Sequence, residues 1–247
     1  MQNIRTEVKS SRSALPQSVA LPPSYDAFFS FPVRKSGYSG VATYTRNSIV
    51  VPLKAEEGLC GMTEAKPFLS PEERVSAPSA YPQQILHDEE LARPRHLEEE
   101  DEPWTEPDYK DLDSEGRALL LDFGLFVLIN VYCPNDGNGT EDRDRYKADF
   151  HRVLRARIQG LVKKEKREVV LLGDINACAS VMDHCEGHLM VAKGIADGLS
   201  GEEGFWGKNA RRWLRDLMVN EESEVMGYVV DITRKLHPNR KGMFTCT

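Results

Sequence analysis

Glu168-Val169-Val170-Leu171-Leu172-Gly173-Asp174-Ile175-Asn176 opens on a continuous apolar run and closes on an acid and an amide two residues apart. A short unbroken apolar run bounded by a turn signal is the pattern of a strand buried on both faces. The stretch therefore predicts an inner strand of an α/β sheet that delivers Asp174 at its tip. Upstream, Tyr146, Phe150, Val153, Leu154, Ile158, Leu161 and Val162 recur at helical spacing with charges between them, which predicts an amphipathic helix over 144–166 packed on that sheet. Further back, the apolar runs 117–123 and 125–132 pivot at Gly124 and are too short and too β-rich for helices, so they predict a buried hairpin. Residues 26–33 and 39–46, aromatic and β-branched around a Lys-Ser-Gly-Tyr turn, predict two more strands. A second helix is predicted over 205–219, with Trp206, Trp213 and Leu217 on its core face.

Between these segments the character of the chain changes. From about 54 to 112 periodicity vanishes, prolines recur at 67, 71, 78, 82, 94, 103 and 107, and an acidic run appears, which predicts a disordered or loosely held acidic insertion. The expected organisation is 1–53 as the first part of one domain, 54–112 as the insertion and 113–247 as its continuation. The net charge of −7 is concentrated: residues 88–115 hold thirteen acids against three bases, leaving 29 bases and 26 acids elsewhere. That remaining balance of +3 is compatible with a surface that meets a polyanion. Hydrophobic residues at 40% with no apolar run near the ~20 residues of a bilayer span predict a soluble chain with no membrane partner. Residues 1–15 are polar and basic, unlike a secretory signal. The five cysteines, at 60, 133, 178, 185 and 246, form no CxxC pair and fit reduced thiols.

Strand ends are where α/β proteins place their chemistry. Two words sit there: Asn130-Val131-Tyr132-Cys133-Pro134-Asn135 and Gly173-Asp174-Ile175-Asn176. On an extended segment Asp174 and Asn176 point the same way, so one can take a proton from water while the other donates to a phosphate oxygen. Gly-Asp-x-Asn taken alone also fits an Asx-type turn closing a strand. Other groups read as structure: 183–188 holds metal-capable side chains without a zinc spacing, and Lys163 to Arg167 is a basic helix end suited to the helix dipole.

Read in order, Ser36-Gly37-Tyr38-Ser39-Gly40-Val41-Ala42, Asp113-Ser114-Glu115-Gly116-Arg117, the stretch 126–135, Gly173-Asp174-Ile175-Asn176 and Gly242-Met243-Phe244-Thr245-Cys246 resemble the exonuclease III-like class II AP endonucleases of the endonuclease/exonuclease/phosphatase superfamily. Within them the likeness is to the fungal second AP endonuclease, also called DNA lyase. The resemblance covers most of 7–53 and 113–247. It implies an α/β fold, a four-layered sandwich of two packed β-sheets flanked by helices. It also implies a Mg²⁺-dependent nuclease, with Mn²⁺ as a substitute ion, acting as a monomer in the nucleus on double-stranded DNA with abasic sites or damaged 3′ ends.

Carried over by position, the resemblance implies that Asp174 orients or deprotonates the attacking water and Asn176 holds the target phosphate. Tyr132 would reach the scissile phosphate through its hydroxyl, with Asn135 bonding nearby. The alternatives are a core aromatic for Tyr132 and a loop-opening residue for Asn135. Glu7, in Thr6-Glu7-Val8-Lys9, keeps the Glu and Lys of the family's Gln-Glu-x-Lys metal word. It is the expected Mg²⁺ ligand. Arg34 and Lys35 are the DNA-backbone candidates. Family words expected before Glu7 and after Cys246, including a Ser-Asp-His, are not in these 247 residues, so the sandwich is expected to be incomplete at both ends and cleavage impaired. Two functions stay open: a DNA-repair phosphodiesterase, and a non-catalytic remnant of that family. Other superfamily phosphatases share Gly-Asp-x-Asn, but Gly-Tyr-Ser-Gly-Val and Glu-Gly-Arg favour the DNA enzymes.

Overall fold

The structure is a computed structural model. It describes residues 3–6, 8–33, 37–63, 69–88, 105–135, 139–184, 187–193, 205–219 and 227–240. Two compact units divide the chain, Met1–Ile175 and Asn176–Thr247. The first holds seven described strands in two sheets. β1 (Asn3–Thr6), β2 (Tyr25–Ser30) and β3 (Val41–Arg46) form an antiparallel sheet in the order β1-β3-β2. β4 (Lys54–Glu57), β5 (Ala118–Asp122), β6 (Phe126–Tyr132) and β7 (Glu168–Asp174) form the second sheet in sequence order. β4, β5 and β6 pair antiparallel, and β7 lies parallel to β6.

The alternation of side chains explains how the sheets meet. Leu119 and Leu121 of β5 and Leu128 and Tyr132 of β6 form one buried cluster with Val41 of β3, and Phe28, Ala55 and Leu172 pack against it. These are the facing sides of the two sheets. A buried polar tie joins them: Asn130 Nδ2 donates to the Ala42 carbonyl at 3.1 Å and lies 3.2 Å from Thr43 Oγ1. Phe29 alternates with Phe28 and so lies on the outer face of the first sheet. It stacks on Phe31 and meets Tyr44 edge-on. The cover on that face is thin: Tyr44 donates its hydroxyl to the carbonyl of Val19, in α1 (Gln17–Ala20).

A parallel strand pair needs a crossover. Here it runs through α4 (Glu141–Gln159), starting at Thr140 with Glu141, Asp142 and Asp144 in its first turn, where the helix dipole favours acids. The helix begins earlier than 144, and 160–164 closes it as a π-helical turn. Phe150, Val153, Leu154, Ile158 and Leu161 are buried, as the helical spacing predicts. Arg157 reaches Glu56, on the face of β4 opposite Ala55, at 3.3 Å. The helix therefore covers the side of the second sheet that points away from the first, completing a helix–sheet–sheet arrangement.

Two expectations need correction. The predicted loose insertion does not hold for its described part. β4 pairs with β5 from Lys54↔Asp122 to Glu57↔Leu119, and Leu59, Cys60, Val75, Tyr81, Ile85 and Leu86 are buried. Pro78 and Pro82 open a 3-10 turn and α2 (Pro82–Ile85), at positions where a missing N–H costs nothing. Those prolines start helices. Asp108 then caps α3 (Tyr109–Ser114) by accepting from Asp111 N at 2.8 Å. Most of the acidic run, 89–104, lies outside the described residues. The second correction concerns β7. Among the described strands it is paired only with β6, and its residues are half-buried or exposed, with Val170 at 41%. An apolar run reports a strand but not how many neighbours it has.

The second unit contains α5 (Gly187–Ala192), α6 (Asn209–Leu217) and α7 (Ile232–Leu236). Leu214 and Leu217 of α6 are buried, Trp206 and Trp213 half-buried, and Arg211 and Arg215 lie over the Phe205 and Trp206 rings. Asp183 accepts from Ser180 and pairs with Arg234, so its carboxylate has a structural role. No helix among the described residues is long and apolar enough to cross a membrane.

Candidate active site

The parallel β6–β7 pairing runs in register from Phe126↔Glu168 to Tyr132↔Asp174, and Cys133 N continues the ladder to the Asp174 carbonyl at 2.8 Å. Tyr132 and Asp174 are thus neighbours at one end of the sandwich, on the face turned toward the first sheet. Gly173 makes the pairing possible. Its φ is +122°, and a Cβ there would sit 2.0 Å from the Val131 carbonyl oxygen. Thr6, Ser30 and Val41 close the first sheet at the same end, since Thr6 and Ser30 both pair with Val41.

Tyr132 is 8% exposed and belongs to the inter-sheet core, so it is a core aromatic whose ring also lies at the mouth. Arg117, one residue before β5, sits over it. Its guanidinium carbon is 4.8 Å from the Tyr132 ring centre and 5.3 Å from that of Tyr38. Arg117 NH1 donates to the Tyr132 carbonyl at 3.0 Å, and Tyr132 N donates to the Arg117 carbonyl at 2.8 Å. Arg117 Nε pairs with Glu115, which also takes Arg143 NH1 at 2.8 Å. Arg143 NH2 in turn donates to the Tyr38 hydroxyl at 3.0 Å. Burial alone would raise the Glu115 carboxyl, but the bonds from Arg143 and the charge of Arg117 outweigh it and hold it below the usual carboxylate range.

Gly116 lets this word fold so tightly. Its φ is +64°, and a Cβ would come within 2.3 Å of the Phe31 carbonyl carbon. Just before it, the buried Asp113 carboxylate accepts from Leu59 N at 2.7 Å, Cys60 N at 3.1 Å and Met62 N at 2.9 Å. Burial pushes its pKa up to about 6 despite those donors. Cys133, beside Tyr132, is fully buried, and its thiol is pushed well up by burial and by the nearby Asp174 charge.

Of the residues singled out from sequence, Tyr132 and Asp174 come together. Asn135 is exposed, three residues beyond Tyr132. Asn176 is the first residue of the second unit, and its φ of +49° is left-handed, so the backbone is not extended through the whole Asp-x-Asn word. That conformation suits an Asx-type turn. Glu7, Arg34 and Lys35 lie outside the described residues. Sequence reading attached no role to Tyr38, Glu115, Arg117 or Arg143. The available signal was a Glu-Gly-Arg word at the start of a buried strand, but its partners Arg143, Tyr38 and Tyr132 are distant in sequence.

No family model matches the chain. It is 32% identical over 240 residues to the DNA-(apurinic or apyrimidinic site) endonuclease 2 of Schizosaccharomyces pombe, covering 97% of this chain and 40% of that protein. With its Mus musculus namesake it shares 30% over 252 residues, 97% of this chain and 41% of the relative. The chain thus spans about 40% of the length of these curated relatives. The Xenopus laevis APE2 catalytic domain superposes with a TM-score of 0.69 at 26% identity, over 99% of this chain and 66% of that one. An AP endonuclease from Archaeoglobus fulgidus shares the fold, at TM-score 0.53, 18% identity and coverage of 97% of this chain and 65% of that one. The two-sheet sandwich, and the sequence along nearly all of this chain, are similar to those of proteins named AP endonucleases. The relatives at 26–32% identity described above carry the name AP endonuclease 2 or APE2.

Proposed function

We propose that this chain forms part of a DNA-repair phosphodiesterase that hydrolyses the DNA backbone on the 5′ side of abasic sites and trims damaged 3′ ends, in the nucleus. The observation that carries the reading is the in-register Tyr132↔Asp174 pair at the mouth of the sandwich, with the Arg117 guanidinium against Tyr132. Hydrolysis of a phosphodiester needs a group to orient and deprotonate water and donors to hold the phosphate. Asp174 serves as the first. The Tyr132 hydroxyl, Asn176 and Asn135 serve as the phosphate donors, and Arg34 and Lys35 meet the DNA backbone.

The ion in this reading is Mg²⁺, with Glu7 as a ligand, supplying Lewis-acid stabilisation of phosphate charge. Among the described residues no three His, Cys, Asp or Glu side chains converge as a metal set, so these residues alone do not make that site and no step here depends on it. The test uses the longest protein product containing these 247 residues, on a duplex with one abasic analogue, with Mg²⁺ and with chelator. Chelator-sensitive cutting that Asp174→Ala lowers by about 10²–10⁴ is expected. Cutting that Asp174→Ala leaves intact would remove Asp174 from the mechanism, and absence of cutting would remove the function.

A further inference from the structure

We propose that Arg117 is a positioning residue for Tyr132, setting that phenol for the phosphate from behind without touching DNA itself; this rests on the phosphodiesterase reading above. An arginine beside a polyanion site is ordinarily read as a phosphate contact. The geometry here points elsewhere. The Arg117 side chain is 2% exposed. Its NH1 is committed to the Tyr132 carbonyl and its Nε to Glu115, and its guanidinium carbon lies over the rings of both Tyr38 and Tyr132. A guanidinium so enclosed is turned inward.

Two consequences follow for Tyr132. The reciprocal bonds, backbone Tyr132 N to Arg117 O and guanidinium NH1 of Arg117 to Tyr132 O, fix the last residue of β6 at the point where the chain leaves the sheet. The cation against the ring face draws electron density from the phenol and makes its O–H a stronger donor, an effect little screened in a water-poor setting. Glu115 and Arg143 hold Arg117 in that pose, and Arg143 continues to the Tyr38 hydroxyl, so the turn carrying Tyr38 is mechanically joined to Tyr132.

The experiment is a double-mutant cycle of Arg117→Met and Tyr132→Phe in the longest protein product, with kcat and KM measured separately over a range of salt. Arg117→Met should lower kcat by roughly ten- to thirtyfold, the span of a desolvated cation–π contact. KM and its salt slope should hold steady. Arg117→Lys should recover part of the loss, and in the Tyr132→Phe background Arg117→Met should change kcat by less than about twofold. An undiminished effect in that background, or a salt slope reduced by about one, would make Arg117 a direct phosphate contact and overturn the proposal. A structural readout runs beside it: with ring-labelled tyrosine, the Tyr132 resonances should move in Arg117→Met and Arg117→Lys proteins. Unmoved Tyr132 signals overturn the proposal on their own, and an unsubstituted protein that cuts nothing while those signals move overturns the phosphodiesterase reading instead.

Discussion

Among the described residues of the first unit, Glu56 and Glu115 each hold two arginines, in different settings. On the helix-covered face of the second sheet, Glu56 is 4% exposed and takes the Tyr81 hydroxyl at 2.6 Å, Val75 N at 3.2 Å, Arg157 at 3.3 Å and Arg74 at 3.5 Å. Arg157 is fully buried, with its guanidinium 4.1 Å from the Tyr81 ring centre. Burial and the Glu56 charge push the Tyr81 hydroxyl up to about 12. At the mouth, Glu115 is 21% exposed at its side chain and holds Arg117 and Arg143. The residue types match, but the first cluster fastens β4 and the 74–81 segment to α4, whereas the second fastens the groups around Tyr132. The first lies on the helix-covered face of its sheet and the second at the sheet end beside Tyr132 and Asp174.

The comparison can be broken first at Glu56. Glu56→Gln leaves Arg157 as a buried charge without its counter-ion, and loss of one partner in such a pair costs about 3–5 kcal/mol. Denaturant unfolding should show that loss, while kcat of the folded variant stays within about twofold. A large fall in kcat would place the Glu56 cluster in the working site after all.

The next effect is in pH. Asp113 has a folded pKa raised from 3.8 to about 6, so its ionised form penalises the folded state above about pH 6. The penalty is relieved as pH falls toward 3.8, by up to about 3 kcal/mol for a shift of roughly two pH units. Glu115 has the opposite sign. Its pKa is lowered, so its contribution is complete above 4.5 and is lost as pH falls through its depressed value. Unfolding at pH 7, 5 and 3.5 should show stability from Asp113 rising at both steps, with the loss of the Glu115 contribution reducing the second rise. Asp113→Asn should remove the rise, and a rise that survives it would assign the effect to other groups.

The smallest effect on stability, and the sharper contrast, is expected at Glu115. Glu115→Gln keeps the shape and removes the charge, costing about 1–3 kcal/mol, less than Glu56→Gln because the Glu115 side chain is 21% exposed against 3% for Glu56. Its kcat should fall with that of Arg117→Met. Equal stability losses at Glu56 and Glu115, with no difference in kcat, would erase the distinction between the clusters.

Much of the sandwich was legible before any coordinates. The runs 117–123 and 125–132 became β5 and β6, and Phe150, Val153, Leu154 and Ile158 marked the buried face of α4. Periodicity records which face of an element is apolar, and that is a local property. The described residues 54–63 and 69–88 escaped that reading because their order is non-local: Lys54 to Glu57 is polar along the chain and becomes a strand by pairing with β5, and Asp113 supplies the acceptor for the turn at 59–62. Prolines and acids alone read as disorder.

The sequence by itself determined the two words at strand ends, Tyr132 with its Asn and Pro neighbours and Gly-Asp-x-Asn, because the apolar run that ends at each word and the glycine a close strand pairing requires are written locally. Only the tertiary structure decided that Tyr132 and Asp174 stand in register, that β7 is an edge among the described strands, and that Arg117 turns inward onto Tyr132 through Glu115 and Arg143. Those facts depend on pairing between distant segments and on which charges are buried together, and neither is a property of any short stretch of chain.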